Sequence, residues 1–167
     1  WQDSARPTTS LVNTNSGGYY LRAVMYPYTP VGASVPNTVN TCYDNSPNFK
    51  EIGSLTICAG SSVPFIYNHL ASDKDLDSLY VRFADPMQSA SNPIAWASGY
   101  SSMSPYPSTT TNVANGPVTI DGITGEVTMD VQAATPGSYA SCYVIEAWKC
   151  GAGPMGPQPQ LVAEVFR

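Results

Sequence analysis

Short runs of strand-forming residues, separated by turn residues, dominate the pattern of hydrophobic and polar positions along this chain. Val, Ile, Tyr, Phe and Thr occur in short stretches, and Gly, Pro, Asn and Asp separate these stretches, as in strands joined by turns. No long segment shows the 3.6-residue apolar repeat of an amphipathic helix. The pattern predicts an all-β fold with strands at 19–26, 38–43, 55–58, 63–68, 78–84, 118–120, 126–129, 138–149 and 160–167.

The last third of the chain gives the clearest prediction. Val118–Ile120 and Glu126–Met129 flank the turn Asp121–Gly125, which is the pattern of a β-hairpin. Gly151–Pro159 is rich in Gly and Pro and is predicted to connect the last two strands. The stretch from Asp85 to Asn115 is long and rich in Ser and Pro, which is typical of a functional or flexible loop. The alternative is one or two irregular strands around Ile94–Trp96.

The spacing of strands and turns favours one or two antiparallel β-sandwiches with long loops. Residues 1–18 are polar and are predicted to form an N-terminal arm. Residues 19–55 form an N-terminal β region, which is either part of the main domain or a small domain of its own. Residues 56–167 form the main β-sandwich.

The composition excludes several classes of protein. Hydrophobic residues make up 43% of the chain and charged residues only 11%, against roughly 25% charged in an average soluble domain. The formal net charge is −5, with 7 Lys and Arg spread along the chain. This distribution gives no basic stripe for nucleic acid. No apolar run approaches the roughly 20 residues of a membrane-spanning helix.

Four cysteines indicate the compartment. They form no Cys-x-x-Cys pair and have no histidine nearby, which argues against zinc. The spacing pairs most simply as Cys42–Cys58 and Cys142–Cys150, although four cysteines allow three connectivities. The alternative is four free, buried thiols. Because disulfides persist mainly outside the cytosol, the paired interpretation favours an exported protein.

The order of several segments over residues 19–167 resembles large surface proteins of the Bacteroidota, described as gliding-motility-associated or cadherin/Ig-like repeat proteins. The segments are Tyr20–Tyr26, Val35–Asn37, Cys42–Phe49, Ile57–Gly60, Tyr67–His69, Asp73–Tyr80, Ile120–Val127, Gly137–Tyr139 and Glu146–Lys149. The resemblance implies an Ig- or cadherin-like sandwich, export by the type IX route, a cell-surface or extracellular location, and structural or adhesive use without catalysis. The family's acidic loop has Gly where this chain has Leu76. Its members are also pieces of longer proteins, so a free-standing unit favours a self-assembling subunit.

Asp73, Asp75 and Asp77 alternate along one predicted loop. Three carboxylates with this spacing can turn toward one centre, as Ca²⁺ requires with its 6–8 oxygen ligands. The alternative is a solvated acidic turn whose side chains bond nearby amides, with Lys74 partly neutralising it. The sequence thus predicts Ca²⁺ as the only cofactor, with further oxygen ligands available at Asn68, Asp85 and Glu146.

The aromatic residues offer a second candidate site. Trp96, Tyr100 and Tyr106 lie in the Ser/Pro-rich stretch, where exposed rings would stack on sugars or anchor a protein interface. The alternative is that they fill the core. The Asp3-Ser4-Ala5 tripeptide matches the O-glycan acceptor pattern of the same bacterial group, which makes Ser4 a candidate acceptor.

No motif in the sequence points to catalysis, and a pair of catalytic carboxylates among the 12 Asp and Glu would depend on a three-dimensional separation that the sequence does not give. His69 is the only histidine and no Gly-x-Ser-x-Gly elbow occurs, so a Ser-His-Asp hydrolase has no support. We therefore expect a protein that is not an enzyme. The expected function is an extracellular structural or adhesive surface protein, or a filament subunit, that associates with itself or with neighbouring surface proteins. The alternative is a carbohydrate-binding or adhesin module of a larger surface system.

Overall fold

The computed structural model describes residues 9–12, 20–36, 44–50 and 55–167. Over these ranges the chain is all-β, as predicted, with antiparallel pairing throughout and no helix. The strands are β1 Arg22–Met25, β2 Asn48–Phe49, β3 Phe65–Asn68, β4 Ala71–Ser72, β5 Ser78–Ala84, β6 Met87–Ser89, β7 Asn92–Pro93, β8 Thr119–Ile120, β9 Glu126–Met129, β10 Cys142–Gly153 and β11 Gly156–Phe166.

A four-stranded sheet in the order β1-β11-β10-β5 forms the larger layer. Its centre is the long β10–β11 hairpin, whose tip is Pro154–Met155. The strand pair at the end of the chain is confirmed, but Gly151–Pro159 is hairpin rather than loop. Pro157 and Pro159 fit in β11 because proline has no N–H to donate and tolerates a position on a strand edge.

The main core lies between this sheet and a three-stranded sheet in the order β3-β9-β8. Alternate residues of each strand point to the same side, so every second side chain reaches the core. The buried cluster takes residues from β2, β5, β9 and β10, namely Phe49, Val81, Phe83, Val127, Met129, Tyr143 and Ile145. The two sheets therefore share one apolar interior.

The N-terminal segments belong to the same structure. β1 pairs with β11, and Phe49 lies within the main core. The described part of 19–55 thus shares the sheet and the core of 56–167. Within the predicted arm, only residues 9–12 are described. Leu11 forms a β-bridge with Trp96, and the Ser10 hydroxyl accepts a hydrogen bond from the Ala140 amide.

Other strand predictions had mixed outcomes. The strand at 78–84, most of the strand at 63–68 and the hairpin at 118–129 are confirmed. In the hairpin turn, Asp121 Oδ1 accepts hydrogen bonds from the amides of Ile123 and Thr124. The strand predicted at 55–58 is wrong, since these residues pair with no strand in the described chain. The strand predicted at 38–43 lies outside the described residues.

Candidate functional site

Two strand pairings bring a group of charged side chains together at the start of β5. β2 and β4 run antiparallel, with Asn48 opposite Ser72, so the residues before β2 lie beside those after β4. The β5–β10 register pairs Ser78 with Trp148, which places Asp77 opposite Lys149. We call Asp44, Asp73, Asp77 and Lys149 the acidic cluster.

The loop from Asp73 to Asp77 is held by its own backbone. Asp73 Oδ1 accepts hydrogen bonds from the amides of Asp75 at 2.7 Å and Asp77 at 3.2 Å. Leu76 has φ of 62° and its side chain is 89% exposed. This left-handed backbone is one that glycine adopts freely and leucine does not. The loop therefore has, at Leu76, a left-handed backbone conformation that glycine would normally occupy.

Lys149 joins two of the three acids. Its Nζ lies 2.8 Å from Asp77 Oδ1 and 3.1 Å from Asp44 Oδ1. The side chains of Lys149, Asp77 and Asp44 are 17%, 6% and 0% exposed. Because removing charges from water is costly, such a group is stable only when the charges are closely paired.

The pairing is incomplete. The cluster holds three carboxylates and one ammonium group, and the Oδ2 atoms of Asp73 and Asp77 are buried without a hydrogen-bond partner. Burial raises the pKa of Asp44 to about 6, with the nearby Asp77 adding to the rise and the hydrogen bond from Lys149 opposing it. For Lys149, burial alone would lower the pKa, but the hydrogen bonds to Asp77 and Asp44 outweigh it and raise the pKa overall.

The three predicted calcium ligands lie in one loop but have separate partners. Asp75 is at the exposed rim, where its Oδ2 accepts hydrogen bonds from the Asn45 amide at 2.6 Å and from Asn45 Nδ2 at 2.8 Å. These bonds lower the pKa of Asp75. Asp73 bonds the loop backbone, and Asp77 bonds Lys149. Within the described ranges, no three or more Asp, Glu, His or Cys side chains are arranged to hold a metal ion as they stand.

The further ligands named from the sequence lie in other hydrogen bonds. Asn68 donates to the Thr124 carbonyl oxygen, and Asp85 accepts from Trp96 Nε1. Glu146 accepts from Arg82. Each of these side chains therefore has a structural partner outside the acidic cluster.

The candidate aromatic residues have different surroundings. Trp96 packs against the small cluster of Leu11, Ile94 and Ala140. Tyr106 packs on the main core and its hydroxyl lies 2.9 Å from that of Tyr143. The Tyr100 ring contacts the Tyr139 ring at a tilt of 45°, and Tyr100 lines an open pocket of about 300 Å³. Trp96 and Tyr106 thus have structural contacts, and glycan binding stays a prediction. Ser4, the candidate glycan acceptor, lies outside the described residues.

The predicted Cys142–Cys150 disulfide is wrong in this structure. Both residues lie on β10 and both are free thiols, Cys142 buried and Cys150 exposed. They are eight positions apart on one extended strand, which corresponds to about 26 Å, whereas a disulfide requires Cα atoms within about 7 Å. Cys58 is an exposed free thiol, and its predicted partner Cys42 lies outside the described residues.

Sequence reasoning missed two members of the acidic cluster, Asp44 and Lys149. Asp44 lies in a turn signal, and Lys149 ends a predicted strand, so neither carries a local mark of the cluster. Comparison with known proteins found no matching family model, curated protein or solved structure. None of the described residues forms a helix long and apolar enough to cross a bilayer.

Proposed function

We propose that this chain is an extracellular structural or adhesive domain, with an Ig- or cadherin-like sandwich, that associates through the open edge of its larger sheet. The observation that carries the proposal is the β1 edge. β1 is the terminal strand of the sheet and pairs only with β11 among the described strands. An unpaired edge offers a row of amide and carbonyl groups to an extended segment of a second chain.

The direction of the backbone groups on β1 follows from its register. The Tyr26 amide bonds the Val162 carbonyl on β11, and inward-facing groups recur at every second residue of an antiparallel strand. The backbone amide and carbonyl groups of Leu21, Ala23 and Met25 therefore point away from β11, out of the edge of the sheet. The side chains of Leu21 and Met25 are 60% and 41% exposed. This edge carries no charge or proline at those three positions to discourage pairing.

A charged substitution on the edge tests the proposal. Met25→Lys blunts the edge without removing a core side chain, so we expect it to shift the protein from multimers to monomers. Met155→Lys introduces the same change at the fully exposed hairpin tip and should leave assembly unchanged. Sedimentation and negative-stain microscopy at high protein concentration measure both. A parent protein that stays monomeric at every concentration would contradict the proposal.

A calcium ion at the acidic cluster is the second part of the proposal. The buried Oδ2 atoms of Asp73 and Asp77 lack partners, and oxygen atoms of this kind are the ligands that Ca²⁺ prefers. The cluster also has two more acids than it has ammonium groups. Asp75 at the rim would complete the set by turning away from Asn45. Such an ion would stiffen the loop between β4 and β5.

Thermal unfolding with Ca²⁺ or with a chelator tests the metal. We expect Ca²⁺ to raise the melting temperature, since a ligand that binds only the folded state stabilises it. Asp75→Asn should reduce that rise, because it removes an exposed acid without disturbing the core. Glu126→Gln, an exposed acid on β9, is the matched control. An identical melting temperature in both conditions would remove calcium and leave the edge proposal standing.

A further inference from the structure

Lys149 and Asp77 face each other as a nucleophile and an acyl group in a buried position. The β5–β10 register sets them opposite one another on adjacent strands, one pair beyond Trp148 and Ser78. Nζ of Lys149 lies 2.8 Å from Asp77 Oδ1, with the two side chains 17% and 6% exposed. A second carboxyl group, that of Asp44, lies 3.1 Å from the same nitrogen and is 0% exposed.

We propose that Lys149 and Asp77 condense to an intramolecular amide bond that joins the start of β5 to β10. This modification is independent of the edge association proposed above. It removes one carboxylate and the one ammonium group together, so two acids and the amide oxygen of Asp77 remain as possible calcium ligands. It uses only groups present in the chain, and it needs no oxidant, reductant or co-reactant.

The atoms balance in a simple condensation. The ammonium group of Lys149 passes a proton to the Asp44 carboxylate, and the freed lone pair attacks Cγ of Asp77. Asp44 passes that proton to the departing oxygen of Asp77, and the nitrogen gives its second proton to the same oxygen, which leaves as water. The C–N bond forms, one C–O bond breaks, and one water molecule leaves. Asp44 ends in its original state and acts as the proton carrier.

The hydrogen bonds from Lys149 to Asp77 and Asp44 keep the proton on its ammonium group at rest, so the step is slow. It has to occur only once in each molecule. Groups held in position react as if present at about 10⁵–10⁸ M, which favours amide formation that is unfavourable between free molecules in water.

The location of the bond has a mechanical meaning. Nζ of Lys149 lies 6.0 Å from the ring centre of Tyr28, and Tyr28 packs on the small cluster of Ala147, Val162 and Ala163. A covalent link here would tie β5 to the central hairpin at the point where their hydrogen-bonded pairing begins. Pulling on the loop before β5 would then load a covalent bond rather than a strand pair.

Mass spectrometry of the reduced native protein tests the proposal directly. We expect the intact chain to be lighter than its sequence by one water molecule. Trypsin cuts after Lys and Arg, so the unmodified chain releases Asp75–Arg82, Phe83–Lys149 and Cys150–Arg167. An amide on Lys149 blocks that cut. The product is then Asp75–Arg82 linked to an uncut Phe83–Arg167, and free Cys150–Arg167 is lost.

Two variants separate the amide from an ion pair. Lys149→Arg keeps the positive charge but removes the amine nucleophile, so it should show the full sequence mass. Asp44→Asn keeps the size of the side chain and removes the proton carrier, which should slow the loss of water by about 10²-fold or more. A parent chain at full mass that releases Cys150–Arg167 would overturn the proposal. A cross-link to Ala23–Lys50, the tryptic peptide that contains Asp44, would overturn the assignment to Asp77.

Discussion

Glu146 on β10 and Glu164 on β11 lie directly opposite each other in the central hairpin. Like charges in this position repel and destabilise a strand pair. Here a single guanidinium group joins them. Arg82 Nε donates to Glu146 Oε1 at 2.6 Å, and Arg82 Nη2 donates to Glu164 Oε1 at 3.3 Å. The Tyr26 hydroxyl also donates to Glu164 Oε2. Arg82 on β5 therefore stabilises the pairing of two other strands.

Replacing Arg82 would leave the repulsion between Glu146 and Glu164 without the guanidinium group that offsets it. We expect Arg82→Met to lower the free energy of unfolding by about 2 kcal/mol, less than for a fully buried pair because the Arg82 side chain is 40% exposed. Urea denaturation measures the change. Lys50→Met removes the same charge from an exposed residue and should change stability little. Equal effects of the two substitutions would show that Arg82 acts only through net charge.

A substitution at Leu76 is expected to raise the free energy of unfolding, whereas the substitution of Arg82 lowers it. Its φ of 62° places it in the left-handed region, and with 89% of the side chain exposed it has little packing to lose. Leu76→Gly relieves backbone strain, so we expect the free energy of unfolding to rise by about 1 kcal/mol. Leu76→Ala keeps a Cβ and should gain little. A loss of stability with Gly would mean that the flexibility of glycine in the unfolded chain outweighs the strain.

Asp44 predicts a dependence of stability on pH. Burial and the adjacent Asp77 raise its pKa from 3.8 to about 6 in the folded state. A raised pKa means that the folded state binds the proton more tightly than the unfolded state. The contribution of Asp44 to the free energy of unfolding is therefore fully present below about pH 4, and it is lost as the pH rises through about 6, the pKa in the folded state. Lys149 also contacts this carboxyl, and it opposes the rise without reversing it. The Asp44 side chain also bonds Asp75 and helps to lower the pKa of Asp75.

The Asp44→Asn variant isolates this dependence. It keeps an oxygen to accept the Asn45 amide, the bond that Asp44 Oδ1 makes at 3.1 Å. We expect the difference in unfolding free energy between parent and variant to change between pH 4 and 6 and to be flat above pH 7. Urea denaturation at a series of pH values measures it. The lowered pKa of Asp121, from the amides of Thr124 and Ile123, acts equally in both proteins and cancels.

Structural features that depend on a local sequence pattern were predicted correctly. Contacts that depend on which strands pair, and in which register, were missed. The hairpin turn at Asp121–Gly125 has its own chemistry, so its position was predictable. Lys149 and Asp44 meet through two separate strand pairings, and no local feature marks either residue. Pro157 and Pro159 led to the prediction of a loop where β11 begins. A sequence does not show which backbone amides of a strand will be left without a hydrogen-bond partner, so it does not show where proline is tolerated. Leu55–Cys58 has strand-forming residues, but a strand also needs a neighbour to pair with, and none of the described segments pairs with these residues.

The cysteines on β10 give the last prediction. Cys142 is buried and burial raises its pKa to about 11, so at neutral pH it remains a protonated thiol with little reactivity. Cys150 is an exposed free thiol on the same strand. We expect an alkylating reagent to label Cys150 in the native protein within minutes. Cys142 should be labelled only when the protein is unfolded.

Peptide mapping after native and denatured labelling separates the two thiols, because trypsin places Cys142 and Cys150 on different peptides when Lys149 is free. Where Lys149 is blocked, a second protease that cuts at Tyr143 achieves the same separation. If neither cysteine of the unfolded protein is labelled until a reductant is added, both are in disulfides, and a peptide in which they are joined to each other would show that the strand pairing of β10 is wrong. If both react equally in the native state, the end of β10 near Cys142 opens to solvent. Labelling of Cys150 alone would agree with a continuous β10 from Cys142 to Gly153, the arrangement that places Lys149 opposite Asp77.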